Sequence, residues 1–515
     1  MNAKFCRLGA NVLASTYSRL KSTIYALSSG LGKCGVAVIR VSGPCTSDAI
    51  LNMTHLKYLP KPRKASLNKI IDPITKEQLD NGILLWFPGP NSFTGEDCCE
   101  FQVHGGRAVV TSVLRGLSKL PNFRPADPGE FTKRSFYNNK MDLTEVEGLA
   151  DLIEADTELQ RKQALMQLEG SLRQLYDTWR QYLLENLAYV EAYIDFSETD
   201  NIEDLVLENV KENLEKLAKE IEMHLMDNRS GELLRDGVKV AIIGAPNTGK
   251  SSLLNSLCSR EAAIVTELPG TTRDPIQVPL DVSGYSVLMI DTAGIRSQTA
   301  DLIEDLGIKK SKVQAQSADM VILVIDAQYL LNVDNMDLWL QKHIENLKVW
   351  CDKCLVYVNK IDTVSDDQVD RLKKVSQNSN WTICYGSCKV NEGLMDMMKN
   401  FENYLQKLCG NPNFEHPRCS QARHRYCLLK ALNNVQTYLE ISKSDENIDV
   451  AAQHLRQATL QVGKITGHVS TEEVLNVIFS KFCIGTILKY YLNVVTSQIL
   501  PENKSNQGVG YSSVR

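Results

Sequence analysis

An octapeptide in the middle of the chain, Gly244-Ala-Pro-Asn-Thr-Gly249-Lys250-Ser251, limits the possible folds more than any other segment. It follows the apolar run Val238–Ile243 and precedes a helical run, Leu253–Leu257. In a turn of this kind the glycines let several backbone N–H groups point at one phosphate, and the positive end of the helix dipole lies behind them. The sequence therefore predicts a phosphate-binding loop at the edge of a parallel sheet covered by helices.

The octapeptide also predicts individual roles. Lys250 is expected to reach the terminal phosphates of a nucleotide, and the Ser251 hydroxyl to bind Mg²⁺. The remaining residues predicted to contact the nucleotide in this loop are Gly244, Asn247, Thr248, Gly249 and Ser252.

Three later segments follow in the order that guanine-nucleotide binding requires. Asp291-Thr-Ala-Gly294 ends the predicted strand Val287–Asp291, where the carboxylate would hold Mg²⁺ through water and the Gly294 N–H would sense a γ-phosphate. In Asn359-Lys360-Ile361-Asp362, the Asp362 carboxylate would accept from two N–H groups of guanine, a pattern that adenine lacks. Ser387-Cys388-Lys389 is either the last base-contacting loop or an ordinary polar turn.

The segment between the first two motifs separates this chain from a Ras-like GTPase. Ile295 stands where Ras carries the glutamine that orients the attacking water, so another polar group must position it. Pro269-Gly-Thr-Thr-Arg-Asp274 lies between the phosphate-binding loop and Asp291, and Thr272 is the predicted switch threonine on Mg²⁺.

Periodicity divides the rest of the chain. Short β-rich runs closed by Pro or Gly indicate an N-terminal α+β domain, and helical stripes on either side of a βα alternation indicate a helical domain interrupted by an inserted α/β domain. The predicted segments are a transit peptide (1–21), an α+β domain (22–142), the first helical half (143–235), the P-loop GTPase domain (236–405), the second helical half (406–485) and a C-terminal tail (486–515).

Charge and composition narrow the function classes. The net charge is −5, so any RNA contact must use a local basic patch or the surface of a partner. No apolar run approaches the ~18 residues of a membrane span. The fourteen cysteines are expected to be reduced, and the pair Cys351 and Cys354 is predicted to be buried thiols rather than half of a zinc site. Residues 1–21 are basic and acid-free, which favours mitochondrial import over a basic N-terminus without a targeting role.

With these motifs, the chain resembles the MnmE/TrmE family of tRNA-modification GTPases, in a mitochondrial form, from about Ser22 to Gly485. The segments that carry the resemblance, beside the GTPase motifs, are Val38–Gly43, Phe87–Asp97, His104–Gly106, Pro128–Phe131, Asn139-Lys140, Gln421–His424 and Phe482–Gly485.

The resemblance implies a homodimer built through the N-terminal domains, which also bind 5-formyltetrahydrofolate. Arg40, Glu100 and Lys140 match the folate-contacting positions, although from the residues alone each is an ordinary charged surface residue.

It also implies potassium-assisted hydrolysis, in which a monovalent cation neutralises transition-state charge. The matching K⁺ ligands are Asn247, Thr266, Leu268 (through its carbonyl) and Thr271, and of these Asn247, Thr266 and Thr271 are also expected to bind the nucleotide.

Two further roles come from the resemblance. Glu304 matches the glutamate that positions the water, with Asp301 and Asp305 as alternatives because this chain has one more residue than expected before Gly307. Cys483 matches a cysteine near the modification chemistry, and a buried helix-end thiol is the alternative.

The implied partners are an FAD-containing MnmG-type protein and mitochondrial tRNA, with the chain in the matrix and without a membrane role. The implied reaction adds a group at carbon 5 of the wobble uridine, with folate as the one-carbon donor. Thr486 stands where the family carries Lys, which removes a positive charge from the folate region. The alternatives are a ribosome-assembly GTPase of the Era type, or a nucleotide-gated interaction module whose modification activity is lost with the altered tail.

Overall fold

A computed structural model describes residues 22–30, 32–196, 205–260, 278–290, 315–333, 335–347, 353–376, 381–442 and 448–469, together with 475, 478, 479 and 482. The described residues fall into two compact units, divided after Val146 and again after Val469. The first unit takes the N-terminal part and the few described residues beyond 469, and the second takes everything between. None of the described helices has the length and apolarity that crossing a membrane requires.

A six-stranded sheet forms the first unit, in the order β3-β4-β5-β2-β1-β6. Its neighbours are antiparallel except for β1 and β6, which are parallel. The strands are β1 Thr23–Leu27, β2 Cys34–Ser42, β3 Ser66–Ile71, β4 Gln78–Phe87, β5 Cys98–Gly105 and β6 Phe123–Pro125.

Three helices accompany this sheet: α1 Thr46–Asn52, α2 Arg107–Ser118 and α3 Glu130–Tyr137. Alternate residues of β5, Cys99, Phe101 and Val103, are buried in one core with Val113 and Leu117 of α2. This alternation is the period of a strand with one covered face.

Long helices form the first part of the second unit. They are α4 Leu143–Glu154, which begins just before the unit boundary, α5 Glu158–Leu168, α6 Ser171–Phe196, α7 Leu205–Leu225, α8 Ser230–Asp236, and, after the α/β insertion, α14 Ala422–Ile441 and α15 Ile448–Thr466. Residues from both sides of the insertion share one core, including Leu183 of α6, Leu214 of α7, Val435 of α14 and Val462 of α15. The predicted fold class, a helical domain interrupted by an α/β domain, is confirmed.

The inserted domain contains a second six-stranded sheet, in the order β12-β11-β10-β7-β9-β8. Its strands are β7 Val238–Ile243, β8 Val278–Val282, β9 Tyr285–Met289, β10 Met320–Asp326, β11 Cys354–Asn359 and β12 Thr382–Tyr385. Its described helices are α9 Lys250–Arg260, α10 Ala327–Leu331, α11 Met336–Leu347, α12 Asp366–Ser376 and α13 Leu394–Cys409.

Both faces of this sheet are covered. Ile322 and Val324 of β10 belong to one buried cluster, whereas Val321 and Leu323 belong to another. Such continuous apolar strands are typical of a doubly covered parallel sheet.

The sheet of the inserted domain, predicted as parallel, has one antiparallel strand at its edge. β8 pairs antiparallel with β9 through a turn at Ser283 and Gly284, where Gly284 N donates to Asp281 Oδ1. The predicted strand Val287–Asp291 instead begins at Tyr285 and ends at Met289. β8 escaped prediction because Pro279 and Asp281 interrupt its apolar pattern.

Candidate nucleotide site

The phosphate-binding loop follows β7 and is shaped by close backbone approaches. A Cβ on Gly244 would lie 2.3 Å from the carbonyl oxygen of Val324 on β10. Gly249 has a φ of +96°, and a Cβ there would lie 2.1 Å from Asn359 Nδ2. Both positions therefore require glycine, which has no side chain to clash and tolerates positive φ. Asn247 also has a left-handed φ, of +64°.

Lys250 begins α9 and curls over this loop. Its ammonium donates to the carbonyls of Gly244 at 3.0 Å and Ala245 at 2.7 Å, and the Thr248 hydroxyl also donates to Ala245 O. Burial lowers the pKa of Lys250, and no carboxylate among the described residues supplies a counter-charge to its ammonium. An anion placed against the loop would supply one. Ser251 and Ser252 follow in the first helical turn.

Asn359, the last residue of β11, joins two loops. Its Nδ2 donates to the Thr248 carbonyl at 2.8 Å, and its Oδ1 accepts from the Cys388 N–H at 3.1 Å. The residue is only 2% exposed, so its amide connects the phosphate-binding loop to the loop after β12 from inside the protein.

Asp362 is exposed, but a buried hydroxyl fixes it. Ser387 Oγ donates to Asp362 Oδ1 at 2.6 Å, and the backbone N–H groups of Lys389 and Val390 donate to the same hydroxyl. The carboxylate is therefore held at the mouth of the site, where it can accept from a ligand with adjacent N–H donors. We call Asn359, Lys360, Asp362 and Ser387 the base corner.

Sequence reasoning missed Asp326. Lys360 has a left-handed φ of +63°, and its ammonium forms an ion pair with Asp326 Oδ2 at 2.9 Å. Asp326 ends β10, beside β11 in the parallel sheet, and its other oxygen accepts from Gln328 N. A carboxylate at the carboxyl end of a predicted strand was the signal that could have found it.

Cys388 is partly buried next to this corner. Its thiol donates to the hydroxyl of Tyr357 at 3.8 Å, and burial raises the pKa of the thiol. Cys388 is therefore a protonated packing group beside the site rather than a nucleophile.

Several predicted site residues lie outside the described residues: Thr266, Leu268, Thr271, Thr272, Asp291, Gly294, Ile295, Glu304 with its alternatives Asp301 and Asp305, Cys483 and Thr486. Of the predicted Mg²⁺ ligands the described part of the chain contains Ser251, and of the K⁺ ligands Asn247. Cys351 is also outside it, whereas Cys354 is a buried free thiol. Within the described ranges, no group of three or more His, Cys, Asp and Glu side chains is arranged to hold a metal.

In the first unit, two of the three predicted folate residues meet. Arg40 on β2 and Glu100 on β5 are cross-strand partners, and Arg40 Nε donates to Glu100 Oε1 at 3.0 Å. The Arg40 guanidinium also lies over the Phe93 ring, 5.1 Å from its centroid. Lys140 is exposed after α3, and its backbone N–H donates to Ser135 O.

The segment Gln421–His424 makes contacts of a different kind. Arg423 donates through Nε and a terminal nitrogen to the two oxygens of Glu147, at 3.0 and 2.9 Å, and His424 Nε2 lies 2.7 Å from Glu147 Oε2. Gln421 donates to Asp151, one turn further along α4. We call Glu147, Asp151, Gln421, Arg423 and His424 the Glu147 cluster.

Within the Glu147 cluster Glu147, Gln421 and His424 are buried and Asp151 and Arg423 are half-buried, and Asp151 also accepts from Arg235. Burial would raise the pKa of the Glu147 carboxyl, but the charges and hydrogen bonds of His424 and Arg423 lower it to about 2. Burial lowers the pKa of His424, so at neutral pH the permanent charge opposite Glu147 is the Arg423 guanidinium. This motif holds α4 against α14.

Comparison with known proteins independently supports the family resemblance. The model of the GTP-binding protein TrmE N-terminus matches residues 23–140, and the model of the MnmE helical domain matches residues 143–483. Over 469 residues the chain is 47% identical to a zebrafish (Danio rerio) protein named mitochondrial 5-taurinomethyluridine-[tRNA] synthase subunit GTPB3, which covers 90% of this chain and 93% of the relative.

Two other relatives match an equally large share of this chain, at lower identity. The human protein of the same name is 41% identical over 469 residues, covering 90% of this chain and 93% of its own length. The tRNA modification GTPase MnmE of Rickettsia typhi is 41% identical over 464 residues, covering 90% and 99%. The chain therefore belongs to the MnmE/TrmE family of tRNA-modification GTPases.

Proposed function

We propose that this chain binds GTP at the base corner, hydrolyses it to GDP and phosphate, and couples that cycle to modification of the wobble uridine of mitochondrial tRNA at carbon 5. The observation that carries the proposal is the exposed Asp362 carboxylate, held by buried Ser387 next to the Asn359 amide. Guanine offers two adjacent N–H donors to such a carboxylate, whereas adenine offers an N–H beside an acceptor.

The described residues suit the phosphate end of the same ligand. A side chain at Gly244 or Gly249 would clash with the neighbouring strands, and the Lys250 ammonium donates to the carbonyls of Gly244 and Ala245. Mg²⁺ would neutralise phosphate charge, held by Ser251 together with Thr272 and Asp291. K⁺ would act similarly, held by Asn247, Thr266, Leu268 and Thr271, while Gly294 senses the γ-phosphate and Glu304 positions the water.

The one-carbon chemistry belongs to the first unit in this proposal. 5-Formyltetrahydrofolate would contact Arg40, Glu100 and Lys140, with Cys483 near the reacting groups. The chain would act as a homodimer in the mitochondrial matrix, together with an FAD-containing MnmG-type protein. The names of the zebrafish and human relatives, which call them mitochondrial and subunits of a synthase, support the mitochondrial location and the action with a partner protein. The six segments predicted from the sequence remain the proposed domain organisation.

GTP turnover by the purified full chain in KCl and in NaCl tests the hydrolytic part. We expect faster turnover in KCl because the loop ligands select the larger ion. Equal rates in the two salts would contradict the potassium assignment, and an unchanged rate for Glu304→Ala would reassign the water-positioning role.

Mass spectrometry of mitochondrial tRNA wobble nucleosides from cells lacking the chain tests the biological part. We expect the carbon-5 modification to disappear and to return with the wild-type chain but not with Lys250→Ala. Folate binding by the wild type and by Thr486→Lys tests the tail, since tight and equal binding would show that the missing lysine is not needed.

A further inference from the structure

The segment that leads into β3 carries a run of exposed cations. From Ala49 to Ile71 the sequence has no Asp or Glu, although the whole chain has a net charge of −5. We call the exposed lysines and arginine of this run, together with the exposed Tyr58, the basic strip: Lys57, Tyr58, Lys61, Arg63, Lys64 and Lys69.

The basic strip is held in place by its backbone. Arg63 N donates to Trp86 O at 2.8 Å, which fixes the segment to the end of β4, and the Arg63 guanidinium donates to Asn91 O. Lys64 N donates to Lys61 O, and Lys69 pairs with Asn81 across the edge of the sheet. The cations therefore project from an ordered edge.

Two of the carboxylates that flank the basic strip, Asp72 and Asp80, are engaged in other contacts, whereas Asp48 and Glu77 are exposed. Asp72 accepts from Lys119 and from the N–H groups of Ile74 and Thr75, and the Lys119 hydrogen bond is the main reason that its pKa falls to about 2. Asp80 accepts from the backbone and ring nitrogens of His104. Among the described residues no carboxylate forms an ion pair with a cation of the strip. Its positive charge is therefore directed at the solvent.

An aromatic ring lies among these cations. Tyr58 is 84% exposed, and Leu67 on β3 is 75% exposed. Proteins that hold RNA without reading a duplex groove combine backbone-tracking cations with exposed rings on which unpaired bases stack. An acidic protein surface would use the cations but has no particular use for a protruding tyrosine.

We propose that the basic strip is an RNA-binding surface that neutralises tRNA phosphates, with Tyr58 stacking on an unpaired base. This inference rests on the proposed function and names the residues by which an acidic protein contacts its RNA substrate.

The test is the salt dependence of RNA binding. The full chain, a Lys57→Gln/Lys61→Gln/Lys64→Gln triple variant and a Lys57→Arg/Lys61→Arg/Lys64→Arg triple variant are titrated with a labelled, unmodified tRNA transcript over a KCl series. Each lost phosphate contact lowers the slope of log K against log salt by about 1, so the Gln variant should lose about 2 to 3 and the Arg variant nothing.

A matched control removes the same charge elsewhere. Lys211, Lys216 and Lys219 are exposed on α7 among glutamates, and their triple Gln variant should keep the wild-type slope. Tyr58→Ala should weaken tRNA binding by about 5- to 10-fold through lost stacking, and Tyr58→Phe should bind like the wild type. Thermal unfolding and GTP turnover should be unchanged in all variants, which excludes misfolding as the cause of a loss.

Equal slopes for the basic-strip and α7 variants, with wild-type binding intact, would overturn this inference while leaving the proposed function standing. A wild type that binds no tRNA would also overturn this inference, whereas the proposed function would fail only if GTP turnover or the wobble modification did not depend on the chain. Unchanged tRNA binding with loss of self-association, or of binding to vesicles of acidic phospholipid, would assign the strip to a protein or a membrane surface and overturn the RNA proposal.

Discussion

The base corner and the Glu147 cluster are both dense polar groups that carry family motifs, yet they are built in opposite ways. In the Glu147 cluster the buried Glu147 carboxylate contacts both the half-buried Arg423 guanidinium and the buried His424 imidazole. In the base corner only the supports, Asn359 and Ser387, are buried, while Asp362 is exposed. A polar motif whose supports are buried and whose last group faces solvent is suited to a ligand, whereas a motif that satisfies itself is suited to stability.

The largest expected loss of stability follows from a substitution that breaks the Glu147 cluster. Glu147→Ala leaves the half-buried Arg423 and the buried His424 without their carboxylate, and removing one partner of a buried ion pair costs about 3–5 kcal/mol of unfolding free energy. Urea or thermal unfolding measures this loss. The control is Glu158→Ala, since Glu158 is an exposed partner of Arg161 and its removal should leave the unfolding midpoint unchanged. Similar midpoints for the two variants would contradict the structural role of the cluster.

Lys250→Ala should act on the ligand and not on the fold. We expect the Kd for GTP to rise by about 100-fold, equivalent to ~2.7 kcal/mol, because the loop loses its phosphate-facing cation. The unfolding free energy should stay the same or increase, since burial disfavours the charged amine. Lys239→Ala, an exposed position on β7, serves as the matched control in a fluorescent-nucleotide titration. Weakened binding by both variants would remove the specific role of Lys250.

A pH effect should come from His224, which lies near the Glu147 cluster. Burial lowers its pKa to about 4, and its Nε2 lies 3.2 Å from the Tyr176 hydroxyl. In the unfolded chain this histidine takes up a proton near pH 6.5, whereas in the folded chain it does so only near pH 4. The folded state is therefore fully stable with respect to this group above pH 6.5, and it loses stability as the pH falls towards 4.

Unfolding of the wild type and of His224→Gln between pH 7 and pH 4 measures this effect. His224→Gln should lose about 2 to 3 kcal/mol less than the wild type over that range, because glutamine does not titrate. Parallel stability profiles would show that His224 is not buried in its neutral form.

The smallest expected effect, on GTP affinity, follows from a substitution that removes a support of the base corner but keeps its carboxylate. Ser387→Ala deletes the hydroxyl that orients Asp362, and a hydrogen bond to a charged group is worth about 1.5 kcal/mol, or about tenfold in Kd. GTP affinity should fall by that amount. Ser259→Ala, on the exposed face of α9, should have no effect. Unchanged affinity for both would mean that Asp362 needs no support from Ser387.

Sequence motifs predict the residues of the base corner, including its buried supports Asn359 and Ser387, but not the ion pair between Lys360 and Asp326. The motif order placed Lys250, Asn359 and Asp362 at the carboxyl ends of strands, where a parallel sheet collects them. Asp326 was missed because its partner, Lys360, is distant in sequence and becomes adjacent only through pairing of β10 with β11.

In the Glu147 cluster the sequence motif was recognisable but its role was not. The segment Gln421–His424 was recognisable as a motif, but its role depends on Glu147 and Asp151, which lie some 270 residues earlier in the chain. A single sequence does not show which acidic residues of a helix face inward against a segment on the far side of an inserted domain. The antiparallel strand β8 was missed for a local reason, because Pro279 and Asp281 interrupt the apolar pattern that would indicate a strand.

The most direct test of the central claim, that Asp362 selects guanine, is the affinity of Asp362→Asn for GTP and for xanthosine triphosphate. Xanthine replaces the exocyclic amino group of guanine by an oxygen, so an amide at position 362 can donate to it where a carboxylate is repelled. We expect the wild type to prefer GTP by at least about 100-fold, and the variant to prefer xanthosine triphosphate, because a site built to hydrogen-bond one edge rejects the other. A variant that binds GTP as tightly as the wild type does would contradict the account.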